Sequence, residues 1–361
     1  MGNLTDDLKL QLIRPEDFYS QNNIEVKANC HVNAIDRKLK TVSTDSETIP
    51  YDKLILATGS IHHSPAIEGI DHPKVFNLRT TADARLIHKA AKTSSKVAII
   101  GAGFIGLEVA ASLSKQNKDV TVIELADRVL SRVTSPEISS YFKNLHESNG
   151  VNLILNESVK SIKDIDEKLI LECTSSNLIE ADFIVLGTGA AANSALAEAA
   201  GLDVANGVLV NQSNQTSDPD IYAMGDCCNQ YHPIYKQNLR LESVQNAVDQ
   251  AKVVAASLTN QLIPQPTIPW FWSDQFEVKL QIVGIANGYD DSVCRGVPEL
   301  GQSFSIWYFK GNQLLAVDAI NDPMSYVTAT KLIKLGKCPD KSIIADSTIP
   351  TKELLSMVKE A

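Results

Sequence analysis

Hydrophobic and polar positions fall along this chain in two patterns, and their order predicts an α/β architecture. Val97 to Ile100 is an unbroken apolar run, mostly β-branched, as in a strand covered on both faces. It feeds into Gly101-x-Gly103-x-x-Gly106 and then a helical pattern through Ser114, and a second apolar strand, 120-VTVIE-124, follows. Elsewhere the pattern is alternation: 24-IEVKANCHVNAI-35 with 39-LKTVSTDSETI-49, and 159-VKSIKDI-165 with 168-KLILECTSSNLI-179, both read as β-meanders. Each meander leads to an acid, a buried strand and Thr-Gly, in 51-YDKLILATGS-60 (Thr58, Gly59) and 181-ADFIVLGTGA-190 (Gly187, Thr188, Gly189). Self-similarity of this kind predicts two domains of related topology.

Composition narrows the class without changing that picture. A chain of 361 residues with 44% hydrophobic and 21% charged residues is an ordinary soluble, multidomain composition. No apolar run approaches the roughly 20 residues that span a bilayer, and the start MGNLTDDLKL lacks the basic and apolar regions of a signal peptide, so a cytoplasmic address is expected. Myristoylation is excluded by Asp6, where Ser or Thr is required. The net charge of −10 argues against nucleic acid and anionic membranes as partners. Six cysteines (Cys30, Cys173, Cys227, Cys228, Cys294, Cys338) form no C-x-x-C and no zinc-like pairing, so reduced thiols are expected, with Cys227 and Cys228 a buried pair beside a tight turn. No metal site is expected, because adjacent His62 and His63 in an extended segment point to opposite sides.

The glycine turn carries the first chemistry. Gly101 permits the turn, Gly103 admits a pyrophosphate to the backbone amides, and Gly106 lets the helix pack closely on the strand. Glu124 ends the second strand roughly 20 residues later, where an acid accepts hydrogen bonds from an adenosine ribose and repels a 2′-phosphate. This favours NAD, while Arg128 nearby leaves NADP open. Laying the spacing from Gly101 to Thr188 onto Thr58 puts a corresponding first glycine turn about 30 residues before Met1. The first dinucleotide domain is therefore expected to be incomplete at its N-terminus.

The segments 13-IRPEDFY-19, 54-LILATGS-60, 78-LRTTADA-84, 101-GAGFIGLEVAASL-113, 215-QTSDPDIYAMGDC-227, 240-RLESVQNAVDQA-251 and 269-PWFWSDQFEVKLQIVG-284 together resemble the two-dinucleotide flavoprotein reductases, in the ferredoxin and rubredoxin reductase branch. The last two are specific to that branch, and 86-LIHKAAKTSSK-96 lacks the C-x-x-C of thioredoxin reductases. The resemblance implies two Rossmann-like domains and a C-terminal α/β reductase domain. FAD-domain pieces are expected at 1–75 and 190–265, the NAD domain at 76–189, and the C-terminal domain at 266–361 after the linker 263-IPQPTIP-269.

It also implies residue roles. Asp226 would bind the flavin ribityl chain or else cap the next turn; Glu108 would sit near the nicotinamide carboxamide or serve only the helix dipole. Phe104 would gate the flavin or pack in a core, Trp272 would stand beside the cofactors or pack, and Glu242 would line the same cavity or pair with Arg240. Two departures bear on the flavin: His62 and His63 replace the usual Pro-Arg after 57-ATG-59, and 190-AAAN-193 replaces Pro-Asn. With the missing first turn, they predict weak FAD binding by this chain alone. The implied activity is hydride transfer from NADH to FAD and single electrons onward to an iron–sulfur or rubredoxin-type carrier. The alternative is a flavin-free NAD-binding module without turnover. Oligomeric state is left open.

Overall fold

Five strands form the sheet that carries the glycine turn, in the order Val75–Asn77, Phe183–Leu186, Lys96–Ile100, Asp119–Ile123 and Asn152–Ile154, every neighbouring pair parallel. The apolar run at 97–100 exists because this strand is central and covered twice. On one side Val97 and Ile99 pack with Ile87, Leu107 and Phe142; on the other Ala98 and Ile100 pack with Val159, Leu169 and Leu171 of an antiparallel three-stranded sheet. Residues 62–75 pack with the same body, where Ile67 lies in the core and Ile70 against it. The flanking helices start where side chains satisfy their first amides. Thr80 and Asp83 form a reciprocal capping box before Thr81–Thr93, and Ser135 caps Pro136–Ser148, with Pro136 at its first turn.

This computed structural model describes residues 12–358; the acidic opening with Met1, Gly2 and Asp6 lies outside them. Two compact units divide the described chain, 62–190 with 267–358 and 12–61 with 191–266.

The C-terminal part of the first unit is a five-stranded antiparallel sheet, ordered Trp270–Gln275, Val278–Gly284, Gln313–Ile320, Phe304–Lys310 and Asp291–Gly296. The helix Pro323–Leu335 begins with the Asp322 carboxylate accepting from the Ser325 amide at 3.0 Å and ends at Gly336 in the left-handed region, φ 64°. An arginine and an aspartate are buried inside this domain. Arg295 is 5% exposed and Asp318 1%.

Asp318 receives the Tyr308 hydroxyl at 2.7 Å, and burial pushes its carboxyl from 3.8 up to about 7 against that hydrogen bond. Between these values the folded chain keeps a proton that the unfolded chain releases. Stability therefore falls as pH rises through that window and stays low above it. Asp318→Asn is expected to remove the slope and to stabilise the domain at pH 8 by on the order of 2–4 kcal/mol, while changing little at pH 4. Urea unfolding of both proteins at the two pH values checks this; a constant offset at both would contradict it.

The second unit holds the antiparallel meander Val32–Asp36, Thr41–Thr44 and Thr48–Pro50, and the parallel pair Leu54–Leu56 with Ile221–Ala223. A further three-stranded sheet orders Val208–Val210, Cys228–His232 and Gln237–Leu239, and Ser243 caps the helix Val244–Leu258. Leu56, Val208, Ile221 and Ala223 form its core together with the free, buried thiols of Cys227 and Cys228. Among the described residues, no helix is long and apolar enough to cross a membrane.

Candidate active site

Three backbones meet so closely at the glycine turn that no side chain fits between them. Gly101 has φ +104°, and a Cβ there would lie 2.5 Å from the Gly187 carbonyl oxygen. A Cβ on Gly106 would lie 2.1 Å from the Gly101 oxygen, and one on Gly187 would lie 2.9 Å from the Gly106 Cα. Gly103 differs, since a Cβ there would have only the Gly187 oxygen within 4 Å, at 3.9 Å. Gly103 is also the N-cap of the helix Phe104–Ser114, which has neither a capping side chain nor an acid in its first turn. Unscreened amides behind open space suit an anion such as the pyrophosphate of NAD.

Glu124 is half-buried at the end of its strand. Its carboxylate accepts the Ala102 amide at 2.6 Å and the Ala126 amide at 2.8 Å, which fixes the turn from behind. A carboxylate has about four acceptor positions, so two remain for ribose hydroxyls. Arg128 faces inward, where Nη1 donates to the Thr134 carbonyl (2.9 Å) and Ser139 Oγ (2.6 Å) and Nη2 donates to the Ser131 carbonyl (2.7 Å). It braces the loop. Arg132 is exposed, with Nη2 3.4 Å from where a Gly189 Cβ would stand.

Phe104 and Glu108 sit one helical turn apart, at the start of the glycine-turn helix. Phe104 is partly buried and packs against the core of this unit. Glu108 is met by Ser273, whose Oγ donates to Glu108 Oε1 at 2.6 Å. Burial pushes the Glu108 carboxyl up, the Ser273 hydrogen bond opposes the shift, and Asp274 adds to it. Behind Ser273 the polar contacts continue: Gln275 Nε2 donates to Ser273 Oγ at 3.1 Å, and Gln275 Oε1 lies 2.8 Å from His146 Nε2. Trp272 alternates to the opposite face of the strand, where it is 44% exposed and its ring centroid is 5.3 Å from that of Trp270. Ser273, Gln275 and His146 are absent from the residues singled out by sequence. The available signal was Ser273 and Gln275 alternating with Trp272, polar residues on the inward side of a strand.

In the second unit, Asp226 follows the strand Ile221–Ala223 and accepts the Ser60 hydroxyl at 3.0 Å. Thr58 Oγ1 donates to the Asn193 carbonyl at 2.6 Å, and Gly59 follows with φ 69°. A strand-end carboxylate beside a hydroxyl and a glycine turn fits the polyol of a flavin ribityl chain. Glu242 is exposed and pairs with Arg240, whose Nε also donates to Asn206 Oδ1 at 3.1 Å. In the first unit, His62 and His63 are exposed, and the His63 amide donates to the Gly189 carbonyl at 2.9 Å.

The pyridine nucleotide-disulphide oxidoreductase family matches residues 9–251, and the reductase C-terminal family matches 270–355. The chain is 36% identical to putidaredoxin reductase CamA of Pseudomonas putida over 355 residues, covering 96% of this chain and 84% of that one. It is 40% identical to rhodocoxin reductase of Rhodococcus erythropolis over 323 residues, covering 89% and 75%. The fold superposes on the crystal structure of a covalent putidaredoxin reductase–putidaredoxin complex with a TM-score of 0.93 at 35% identity, covering 97% of this chain and 85% of the other. The chain therefore belongs to the pyridine nucleotide-disulphide oxidoreductases, as an FAD- and NAD(P)H-dependent reductase of the ferredoxin-reductase type with its own C-terminal domain.

Proposed function

We propose that the glycine turn binds NADH in preference to NADPH, and that the chain reduces a small carrier protein of the ferredoxin or rubredoxin type. FAD, which Asp226, Thr58 and Gly59 would hold, would supply the chemistry that converts a hydride from the nicotinamide into single electrons for two carrier molecules. The observation that carries the nucleotide preference is Glu124, locked by two backbone amides at the ribose position while Arg128 spends three hydrogen bonds on its own loop. A 2′-phosphate would meet a carboxylate there and no help from Arg128. The carrier class is supported by the relatives, two of which are named as reductases of putidaredoxin and rhodocoxin.

The side chains divide the work by position. Gly101, Gly103 and Gly106 leave the helix amides open to the pyrophosphate, and Glu124 takes the adenosine ribose. Glu108 holds the carboxamide of the nicotinamide, and Phe104 lies one turn before it on the same helix. Trp272 offers an exposed aromatic face on the C-terminal sheet. Asp226, with Thr58 and Gly59, holds the ribityl chain. Buried free thiols support a reducing, cytoplasmic setting.

Calorimetric titration with NAD⁺ and NADP⁺ tests the preference, and NADH-driven reduction of a two-iron ferredoxin tests the activity. NADP⁺ binding as tightly as NAD⁺ would overturn the assignment of Glu124. Glu124→Ala is expected to weaken NAD⁺ binding about tenfold or more and to narrow the gap to NADP⁺, since two charge-assisted hydrogen bonds to the turn disappear with the ribose acceptor.

A further inference from the structure

We propose that Ser273, Gln275 and His146 form one positioning set that fixes the Glu108 carboxylate for the nicotinamide end of the dinucleotide. The proposal rests on the reading of Glu108 given above. Each of the three side chains has 0% exposure, and the His146 ring packs against Phe276. Burying an amide, a hydroxyl and an imidazole costs free energy unless they are paired, and apolar residues of similar size would fill the space without that cost. Here they pair in line with one another, and the line ends on the one member that is partly exposed, Glu108.

The line also has a direction. Ser273 donates to Glu108 and accepts from the Gln275 amide, which leaves Gln275 Oε1 to accept a hydrogen bond from the His146 Nε2–H. Burial holds the imidazole down to about 4 against the Gln275 hydrogen bond, so the ring is neutral and a single N–H is available. That N–H faces Gln275, while Nδ1 is left without a hydrogen-bond partner and the ring packs edgewise on Phe276 at 5.1 Å. The fold thus leaves one ring nitrogen unpaired in order to aim the other. Every donor points towards the carboxylate. Oε1 is held, and Oε2 receives no hydrogen bond from the described residues, so it stays available to accept the carboxamide N–H.

Comparing NAD⁺ with ADP-ribose isolates this end of the ligand, because ADP-ribose keeps the pyrophosphate and both riboses but lacks nicotinamide. Both are titrated by calorimetry into the full chain and its variants. Ser273→Ala is expected to lower the ratio of NAD⁺ to ADP-ribose affinity about tenfold and His146→Phe about threefold, with ADP-ribose affinity unchanged. His146→Gln, whose amide can present an N–H where Nε2 was, is expected to restore most of the ratio. If Glu108→Ala lowers the ratio but Ser273→Ala and His146→Phe do not, the positioning set is wrong and the role of Glu108 stands. If Glu108→Ala leaves the ratio unmoved, that role falls and the proposal with it. Equal losses for both ligands would mean a general structural role and would also overturn the proposal.

Discussion

Gly106→Ala is expected to destabilise the dinucleotide module by about 3 kcal/mol and to cut NAD⁺ affinity about a hundredfold, whereas Gly103→Ala should weaken binding at least tenfold yet cost less than about 1 kcal/mol of stability. The difference follows from what each new methyl would meet. At 106 the obstacle is the Gly101 carbonyl oxygen at 2.1 Å, a backbone atom within a turn that is itself wedged against Gly187. Relief requires the helix to move off the sheet, which displaces the amides that bind phosphate. At 103 the methyl meets almost nothing of the protein, and it occupies the space through which an anion would reach the helix N-terminus. Urea unfolding and calorimetric titration of the two variants separate the effects. A Gly103→Ala protein that binds NAD⁺ normally would show that the pyrophosphate does not lie there.

The second large effect is expected at Arg295. Its Nε donates to Thr351 Oγ1 at 3.0 Å, its Nη1 to the carbonyls of Ile344 and Asp346 at 2.8 Å each, and its Nη2 to the carbonyl of Ile349. One planar cation on the strand Asp291–Gly296 thereby gathers the turn between the helix Lys341–Ala345 and the last helix, Leu354–Met357. Arg295→Met would leave three carbonyls and a hydroxyl without their donor, and is expected to cost on the order of 3–5 kcal/mol. Arg295→Lys should recover little, because one ammonium cannot span acceptors arranged around a guanidinium fork. Hydrogen exchange should show segment 344–351 opening well before the sheet. A lysine variant as stable as the native chain would refute this account.

The glycine turn and its acid were legible in the sequence because their logic is local: a buried strand, three glycines and a second strand ending at Glu124 all lie within one stretch of chain. The echo of Thr58-Gly59 in Thr188-Gly189 was legible for the same reason, and in both cases the glycine takes a left-handed φ, 69° and 93°. Arg128 was not decidable, since its direction depends on how residues 129–139 coil back over it. Likewise the ion pair of Arg240 with Glu242 was not decidable from sequence, since it depends on how both side chains turn. Ser273 was invisible as the partner of Glu108 because 165 residues separate them, and no periodicity reports a contact at that range. The resemblance points to Trp272, and the neighbouring Ser273, on the opposite face of the strand, makes the contact with Glu108.

The seating of the strand Trp270–Gln275 against the glycine-turn helix, reinforced where Lys115 Nζ meets Glu277 at 2.7 Å, limits how such enzymes can be recombined. A chimaera built at the linker near residue 266, to borrow the carrier preference of another reductase, would bring Ser273 and Gln275 from one parent and Glu108 and His146 from the other. Terminal domains are therefore not interchangeable cassettes, and a working graft has to carry the matching pair in the helices along with it.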